Sequence, residues 1–420
     1  MKKKVLAILL VVGFILSSLV LAETVNLKFL HRWTQEPDKS FFEEVVKEFE
    51  ALHPNVKVDI QTVANDPFKE KIKVMLGTND APDVFFTWPG EFTNRFIRAG
   101  NVLDITSYML EDGSMFDYVG AQLIPFIYDG GLYGLPYRLD AKVFVYNKEI
   151  FAKAGVDKAP ETMDELMSAL KKIAALGMKP IAFGNEQPWA VSHYIAAVNQ
   201  KSVPEEVWAI DTDPEVGTWS HPGYVDALHL YADLVPYFND FSNAIKHDQA
   251  RVSFSQGLNA MMYLEIVELP ELERTSPEGF MDKIGVFPFP VTDGPGNQSY
   301  LVGYPEGFVC SANTKHPEEA VAFLKFLTGR QMGRLELETL GWFNGIKNLA
   351  SPDEVKPIIY ETTQLILNTE KMVNWLDSSL HARIWNVYAV ELQKLTDQVT
   401  TPEKAMEAVV KIAKEVREEY

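Results

Sequence analysis

The sequence is poor in cysteine and in basic residues. Cys310 is the only cysteine among 420 residues, so the chain can form no internal disulfide and no multi-thiolate metal site. Lysine and arginine together number 39 against 58 acidic residues, which gives a formal net charge of −19. Because binding to a phosphate backbone needs a basic surface, this balance predicts no nucleic-acid partner.

The sequence also lacks the short motifs that mark common enzymes. It has no G-x-S-x-G elbow and no phosphate-binding G-x-x-x-x-G-K-[ST] loop, and none of its eight histidines has another histidine four residues away. We therefore expect no cofactor and no metal ion. A secreted glycoside hydrolase needs only two carboxylates, so that class stays open as an alternative.

Length and the first residues bear on domain number and export. A chain of 420 residues exceeds what one hydrophobic core usually supports, which predicts two domains. Lys2 to Lys4 precede an apolar run from Val5 to Leu21, a pattern that predicts a signal peptide over residues 1–22. The run is only marginally long enough for a membrane anchor. We expect export to the periplasm or the extracytoplasmic face of the envelope, without a lipid anchor because no cysteine stands at the cleavage site.

Alternating strand and helix patterns open the mature chain. The spacing of apolar residues predicts strands over 24–30, 56–60 and 82–86, with helices over 40–52 and 68–76 between them. This order is typical of a parallel sheet. Because such sheets bind ligands outside the carboxyl ends of their strands, we expect the loops that follow these three strands to line a cleft.

The stretch 129–155 carries the most informative pattern. Residues 142–147 predict a mostly buried aromatic strand, and a helical pattern follows them. The glycines and proline of the first part, Gly130 to Tyr137, predict a short hairpin or bend, and this part contains the run Leu-Tyr-Gly-Leu-Pro-Tyr. This run, with a strand ending in Tyr-Asn-Lys, resembles the extracellular solute-binding proteins of bacterial ABC importers, the sugar-binding group that includes maltose-binding protein. Residues 254–262 and 303–327 also resemble that family. Residues 265–268 depart from its pattern, which puts one usual cleft contact in doubt.

The resemblance implies an α/β protein with a two-lobed, type II periplasmic-binding-protein-like fold, whose discontinuous lobes are joined by a hinge with the ligand cleft between them. It assigns residues 23–137 and 303–344 to the N-terminal lobe and residues 138–302 and 345–420 to the C-terminal lobe. The implied function is that of a monomeric, non-enzymatic exported protein that captures a mono- or oligosaccharide and delivers it to the membrane permease of an ABC importer. A binder of a uronate or a glycerol-phosphate compound is the alternative within this fold.

Candidate ligand contacts fall in the expected cleft loops or at the crossing between the lobes. A tryptophan can stack on the C–H face of a sugar ring, while carboxylates and guanidinium groups can bond its hydroxyls. Core packing is the alternative for each tryptophan, and a solvated charge or interlobe salt bridge for each charged residue. Core packing is predicted for Trp208, and a packed or surface position for His193. The predicted ligand-binding residues are Arg32, Trp33, Asp66, Trp88, Glu91, Tyr137, Arg138, Asp140, Glu186, Trp189 and Trp342.

Overall fold

The computed structural model describes residues 24–78, 80–369 and 371–420, without the side chain of Asp66. The predicted signal peptide, residues 1–22, lies outside the described residues. Among the helices of the described ranges, none is both long enough and apolar enough to cross a membrane.

The described chain contains both strands and helices. The strands are β1 Val25–His31, β2 Val56–Thr62, β3 Val84–Thr87, β4 Ile127–Tyr128, β5 Gly131–Leu132, β6 Gly134–Arg138, β7 Lys142–Asn147, β8 Ile181–Ala182, β9 Met261–Glu265, β10 Ile284–Phe287, β11 Leu301–Val302, β12 Glu306–Cys310 and β13 Met372–Val373. The helices are α1 Asp38–Leu52, α2 Asn65–Leu76, α3 Glu91–Arg98, α4 Thr106–Glu111, α5 Gly120–Leu123, α6 Lys148–Lys153, α7 Met163–Ala174, α8 Trp189–Ser202, α9 Glu205–Asp211, α10 Gly223–Leu234, α11 His247–Ser255, α12 Leu269–Thr275, α13 Pro317–Thr328, α14 Arg330–Leu340, α15 Pro357–Asn368, α16 Leu376–Ser379, α17 Ala382–Thr396 and α18 Pro402–Arg417.

The first sheet has five strands in the order β2-β1-β3-β12-β6. β1 runs parallel to β2 and to β3, as the β-α-β-α-β pattern predicts, whereas β12 runs antiparallel to β3 and to β6. Phe29, Phe42, Phe86 and Phe308 are fully buried on this sheet and against α1. The first sheet therefore combines the start of the chain with a strand from near residue 310.

The second sheet has four strands in the order β10-β7-β9-β8. Its central strand β7 is the aromatic run 142–147 that the sequence predicts as a buried strand, and Phe144 and Val145 are fully inaccessible to solvent. Helix α18 begins where Thr401 accepts a hydrogen bond from the backbone N–H of Lys404, which confirms the predicted cap. The buried side chains on the first sheet are called the first core and those on the second sheet the second core, and the two are continuous.

Two segments connect the two sheets. The first is residues 139–141, between β6 in the first sheet and β7 in the second. The second lies between β10 and β12 and contains β11, which pairs in parallel with β13. Later in the chain, Lys347 N–H donates to the Asp117 carbonyl over 2.9 Å. This bond keeps residue 347 beside the elements that precede the first crossing.

A tight hairpin precedes the first crossing. β4 and β5 pair in antiparallel fashion around Asp129 and Gly130. Both turn residues have positive φ, 47° for Asp129 and 80° for Gly130, as a two-residue hairpin turn of the primed type requires. The bend predicted from the glycines is confirmed, and it directs the chain into β6.

Candidate functional site

Glu306 is the centre of a buried charged cluster at the start of β12. Its Oε1 accepts a hydrogen bond from Trp88 Nε1 over 2.8 Å, and its Oε2 accepts one from Arg138 Nε over 2.5 Å. Arg32 Nη2 lies 3.0 Å from both carboxylate oxygens. Although burial opposes it, the two guanidinium charges lower the pKa of Glu306. This carboxylate is fully engaged by groups that come from β3, β6 and the loop after β1.

Two tryptophans pack against these arginines. The guanidinium carbon of Arg138 lies 4.4 Å from the ring centroid of Trp342, and that of Arg32 lies 4.7 Å from the ring of Trp33. Trp33 is 8% exposed and contacts Phe42, and Trp342 Nε1 donates to the Val267 carbonyl over 2.8 Å. Cation–π contacts and packing therefore occupy both indoles.

A second group of buried polar side chains lies on the second sheet, next to the first crossing. Lys142, at the start of β7, is 1% exposed, and its Nζ makes no hydrogen bond within the described part of the chain. The nearest opposite charge is Glu265 Oε1 at 3.8 Å, and His193 Nδ1 lies 3.5 Å from the same oxygen. The Lys142 ammonium lies 5.5 Å from the ring centroid of Trp189. These side chains come together from β7, β9 and the first turns of α8.

Asp140 lies in the crossing segment and belongs to this second group. It is 2% exposed, and its Oδ1 has no hydrogen-bond partner among the described residues. Burial, with the nearby charge of Glu265, raises the pKa of Asp140 well above its ordinary value. Burial also raises the pKa of Glu265 to about 7, although Lys142 opposes the shift. Two carboxyl groups here are thus held in an environment that disfavours their charge.

Trp189 connects this group to a third set of charges. Its ring centroid lies 5.4 Å from that of His193 and 4.7 Å from that of His247. His247 Nε2 shares a hydrogen bond of 2.9 Å with Glu268, which also pairs with Arg251. Against the effect of burial, His247 and Arg251 hold the pKa of Glu268 well below its ordinary value. Trp189 itself is only partly buried, so one side of it is accessible.

The remaining predicted site residues differ in their relation to these groups. Glu91 begins α3 and pairs with Arg98, and Glu186 is exposed. Tyr137 is fully buried, contacts the ring of Trp33 at 5.3 Å between centroids, and has its pKa raised by burial and by the charge of Glu336. Asp66 lies in the first turn of α2, with its side chain outside the described atoms. The structure therefore brings together Arg32, Trp33, Trp88, Tyr137, Arg138, Asp140, Trp189 and Trp342, but neither Glu91 nor Glu186.

The sequence did not lead us to predict Glu306 in the first buried group, or Lys142, His193 and Glu265 in the second. A signal existed for Lys142, because a lysine opens a run of otherwise buried strand residues. Glu265 lies in the segment that departs from the family pattern, and that departure was itself the signal. Glu306 stands in a strand whose neighbours are distant in sequence, so no local pattern marked it.

A salt bridge and hydrogen bonds connect the part of the chain around the first sheet, called the first half, to the part around the second sheet, called the second half. Lys69 Nζ of α2 lies 2.7 Å from Asp377 Oδ2 of α16, whose Oδ1 accepts from the Ser192 hydroxyl over 3.3 Å. The Asn374 side-chain amide donates to the Pro89 carbonyl over 3.0 Å. These contacts hold the loop after β3 and helix α2 against the second half.

A cavity of about 580 Å³ also lies between the two halves. Glu91, Asn94 and Arg98 of α3, with Tyr128, form the wall from the first half. The wall from the second half contains Trp208 and other residues of 200–215, and the connecting segments contribute Tyr300, Tyr304 and residues 371–374. No three histidine, cysteine, aspartate or glutamate side chains of the described ranges are grouped so that they could hold a metal ion.

Comparisons with known proteins give consistent results. Residues 33–333 match the family model described as bacterial extracellular solute-binding protein. An uncharacterized ABC transporter extracellular-binding protein of Pyrococcus horikoshii is 25% identical over 387 residues, which cover 89% of this chain and 84% of the relative.

Two solved structures share the architecture. A protein from work on xylan utilization by Caldanaerobius polysaccharolyticus is 26% identical, with a TM-score of 0.84 over 92% of this chain and 100% of that one. A chitin oligosaccharide binding protein is 23% identical, with a TM-score of 0.85 over 94% and 99% of the two chains. The predicted two-lobed, type II fold is confirmed.

Proposed function

Because this chain belongs to the bacterial extracellular solute-binding protein family, we propose that it captures a carbohydrate between its two lobes and delivers it to the permease of an ABC importer. The relatives and structural neighbours are binding proteins, which supports a ligand that leaves chemically unchanged. The protein acts as a monomer on the extracytoplasmic face, without a lipid anchor, and its partners supply the energy of transport.

One observation carries this proposal. The second-lobe group contains three buried atoms without hydrogen-bond partners among the described residues: the Lys142 ammonium can only donate, the Asp140 carboxyl accepts or, when protonated, donates, and His193 Nδ1 can do either. A hydroxyl both donates and accepts, so adjacent hydroxyls of one sugar ring satisfy all three. The partly accessible indole of Trp189 beside them supports stacking on the C–H face of that ring.

The candidate ligand residues fall into three sets. Trp189, Asp140, Lys142, His193 and Glu265 form the ligand contacts of the second lobe. Arg32, Trp33, Trp88, Arg138 and Trp342 form the floor at the crossing, held in position by Glu306. Asp66, Glu91, Tyr137 and Glu186 stay predictions from the sequence alone.

The lobe boundaries are also part of the proposal. The N-terminal lobe comprises residues 23–137 and 303–344, and the C-terminal lobe comprises residues 138–302 and 345–420. The backbone bond between Lys347 and Asp117 supports moving the last boundary a few residues toward the C-terminus. Ligand binding then selects the arrangement in which the lobes are closed on each other.

A second candidate ligand is an acidic sugar such as a uronate. Lys142 is the observation that favours it, because a buried ammonium without a hydrogen bond is the natural partner of a ligand carboxylate. Against it, the carboxyl groups of Asp140 and Glu265 already lie beside the same ammonium and would repel a ligand carboxylate whenever they are ionised.

Binding of a defined panel tests the proposal. The mature protein is titrated with xylobiose, N,N′-diacetylchitobiose, raffinose, glucuronate and glycerol 3-phosphate, with thermal shift and calorimetry as readouts. We expect a neutral saccharide to bind and to be recovered intact by mass spectrometry. Sustained release of cleavage products contradicts a binding role, and selective binding of glucuronate or glycerol 3-phosphate replaces the neutral ligand with an acidic one.

A further inference from the structure

The interlobe cavity of about 580 Å³ has the size of a small-molecule site, since such sites usually enclose about 300–1,000 Å³. None of the residues of the second-sheet group, Asp140, Lys142, His193 or Glu265, lines it. Its walls come from both halves and from the connecting segments at Tyr304 and at 371–374. The cavity is therefore a separate space from the proposed cleft, formed by the same two lobes.

Charged side chains of the cavity wall hold one another in position. Glu205 accepts hydrogen bonds from Lys371 and from the Tyr300 hydroxyl, the latter over 3.1 Å. Arg98 pairs with Glu91 on the opposite wall. Both basic groups of the lining are thus engaged in ion pairs, so neither offers an open cationic site for an anion.

Trp208 is the most informative residue of this wall. The sequence places it in a helical pattern for which core packing is predicted, but the structure leaves it half-buried on the cavity. Its ring meets that of the buried Trp219 at 72°, with the centroids 6.0 Å apart, so it is supported from behind. Tyr128 faces the same space from the first half. Supported aromatic rings beside fixed carboxylates are the surface on which a neutral sugar ring binds.

From these observations we infer that the cavity is a second carbohydrate-binding site, which takes one neutral saccharide of about two rings and holds it against Trp208. The inference rests on the proposed function only for the class of ligand. Four acidic side chains, Glu91, Glu205, Asp213 and Glu215, line the cavity against the two basic ones, so an anionic sugar is disfavoured. Because both lobes form the walls, the occupant is linked thermodynamically to their relative orientation.

Stoichiometry tests the inference. The full mature protein is titrated with xylobiose, N,N′-diacetylchitobiose and raffinose by calorimetry, and the complexes are counted by native mass spectrometry. We expect two molecules per chain for at least one of these sugars. Trp208→Ala is expected to weaken one of the two sites roughly tenfold or more, and Trp189→Ala to weaken the other.

Two variants make the test specific. Trp385→Ala removes another half-buried tryptophan, on α17 and away from the cavity, and is expected to leave both sites unchanged. Tyr128→Ala, on the hairpin of the first lobe, is expected to weaken the same site as Trp208→Ala. It replaces Trp208→Ala in the test if circular dichroism shows that Trp208→Ala does not fold.

The outcomes separate the two proposals. A single site that Trp189→Ala abolishes, and that neither Trp208→Ala nor Tyr128→Ala changes, overturns the second site and leaves the cleft intact. A single site lost in the cavity variants alone supports the cavity and contradicts the cleft. Binding of none of the three sugars contradicts both.

Discussion

The two sides of the lobe crossing differ in how their buried charges are satisfied. On the side of the first sheet, the Glu306 carboxylate accepts from Arg32, Trp88 and Arg138. On the side of the second sheet, Lys142 and Asp140 are as deeply buried, yet Lys142 Nζ and Asp140 Oδ1 have no hydrogen-bond partner among the described residues. Since a buried polar group without a partner costs free energy, we expect the Glu306 carboxylate to stabilise the fold, and Lys142 and Asp140 to bind a ligand.

The largest expected effect comes from breaking the satisfied side. Glu306→Gln keeps the shape of the side chain but leaves Arg32 and Arg138 as buried, uncompensated charges. We expect the free energy of unfolding to fall by about 3–5 kcal/mol, measured by urea denaturation. Glu271→Gln, which removes an exposed partner of Arg274, is the control and should cost less than about 1 kcal/mol. Equal losses in the two variants would show that the Glu306 cluster is not a buried network.

A pH titration of stability examines the unsatisfied side. Burial raises the pKa of Glu265 to about 7. The folded protein therefore keeps a proton on this group from pH 4.5 to about 7, where the unfolded chain releases it, so Glu265 lowers stability as pH rises through this window. Glu265→Gln stays neutral, and its stability relative to wild type should increase from pH 5 to pH 7, by about 3 kcal/mol at most, and then level off.

The informative quantity in that titration is the difference in the free energy of unfolding between variant and wild type. His31, whose pKa burial lowers to about 3, gives the opposite slope, because stability from a neutral buried histidine is lost as pH falls below about 6.5. Glu44→Gln, at an exposed position on α1, is the control and should show a difference that does not vary with pH. A difference in the free energy of unfolding between Glu265→Gln and wild type that does not vary with pH would show that the Glu265 carboxyl is in water.

Two tryptophan variants test the same comparison between the two sides of the lobe crossing. Trp189→Ala should weaken the bound neutral sugar by about five- to 150-fold, which is roughly 1–3 kcal/mol, without unfolding the protein. Trp33→Ala should instead destabilise the fold by about 3–5 kcal/mol, because Trp33 packs against Phe42 and Tyr137 in the first core. Calorimetry and urea denaturation separate the effects. Affinity unchanged in Trp189→Ala would remove that indole from the ligand site.

Sequence periodicity predicted both sheets because strand and helix patterns are local. The aromatic run of β7 and the cap at Thr401 needed no knowledge of distant residues. The sequence could not predict that Trp33 packs in the first core whereas Trp189 is partly accessible, since both lie beside polar residues at the ends of predicted elements. Arg32 reaches Glu306 across 274 positions of sequence. That pairing depends on β12 returning beside β3, which spacing does not encode.

Lys142→Met tests whether the unpartnered ammonium serves the ligand or the fold. We expect the unliganded protein to be as stable as wild type or more so, because a buried charge without a hydrogen bond is removed. Affinity for the sugar should fall about tenfold or more, since a charge-assisted hydrogen bond is lost. Lys283→Met, which removes an exposed partner of Glu149, should change neither. A marked loss of stability in Lys142→Met would make Lys142 a structural residue like Arg138.

The smallest effect concerns the bond that connects the two sides. Lys69 Nζ lies 2.7 Å from Asp377 Oδ2 across the interlobe gap, where the lysine side chain is 31% exposed and the aspartate side chain 6%. Because the lysine is partly in solvent, we expect the pair to contribute about 1 kcal/mol. Lys69→Ala should lower the population of the closed form, and with it the sugar affinity, by about two- to fivefold. Unfolding should hardly change because the pair belongs to neither core. Lys47→Ala, which breaks a pair within α1, is the control and should leave affinity unchanged. Added salt should narrow the difference in affinity between Lys69→Ala and wild type slightly, because ions screen the partly exposed Lys69 ammonium. An affinity loss of the same size in Lys47→Ala would show that closure does not depend on the Lys69–Asp377 bond.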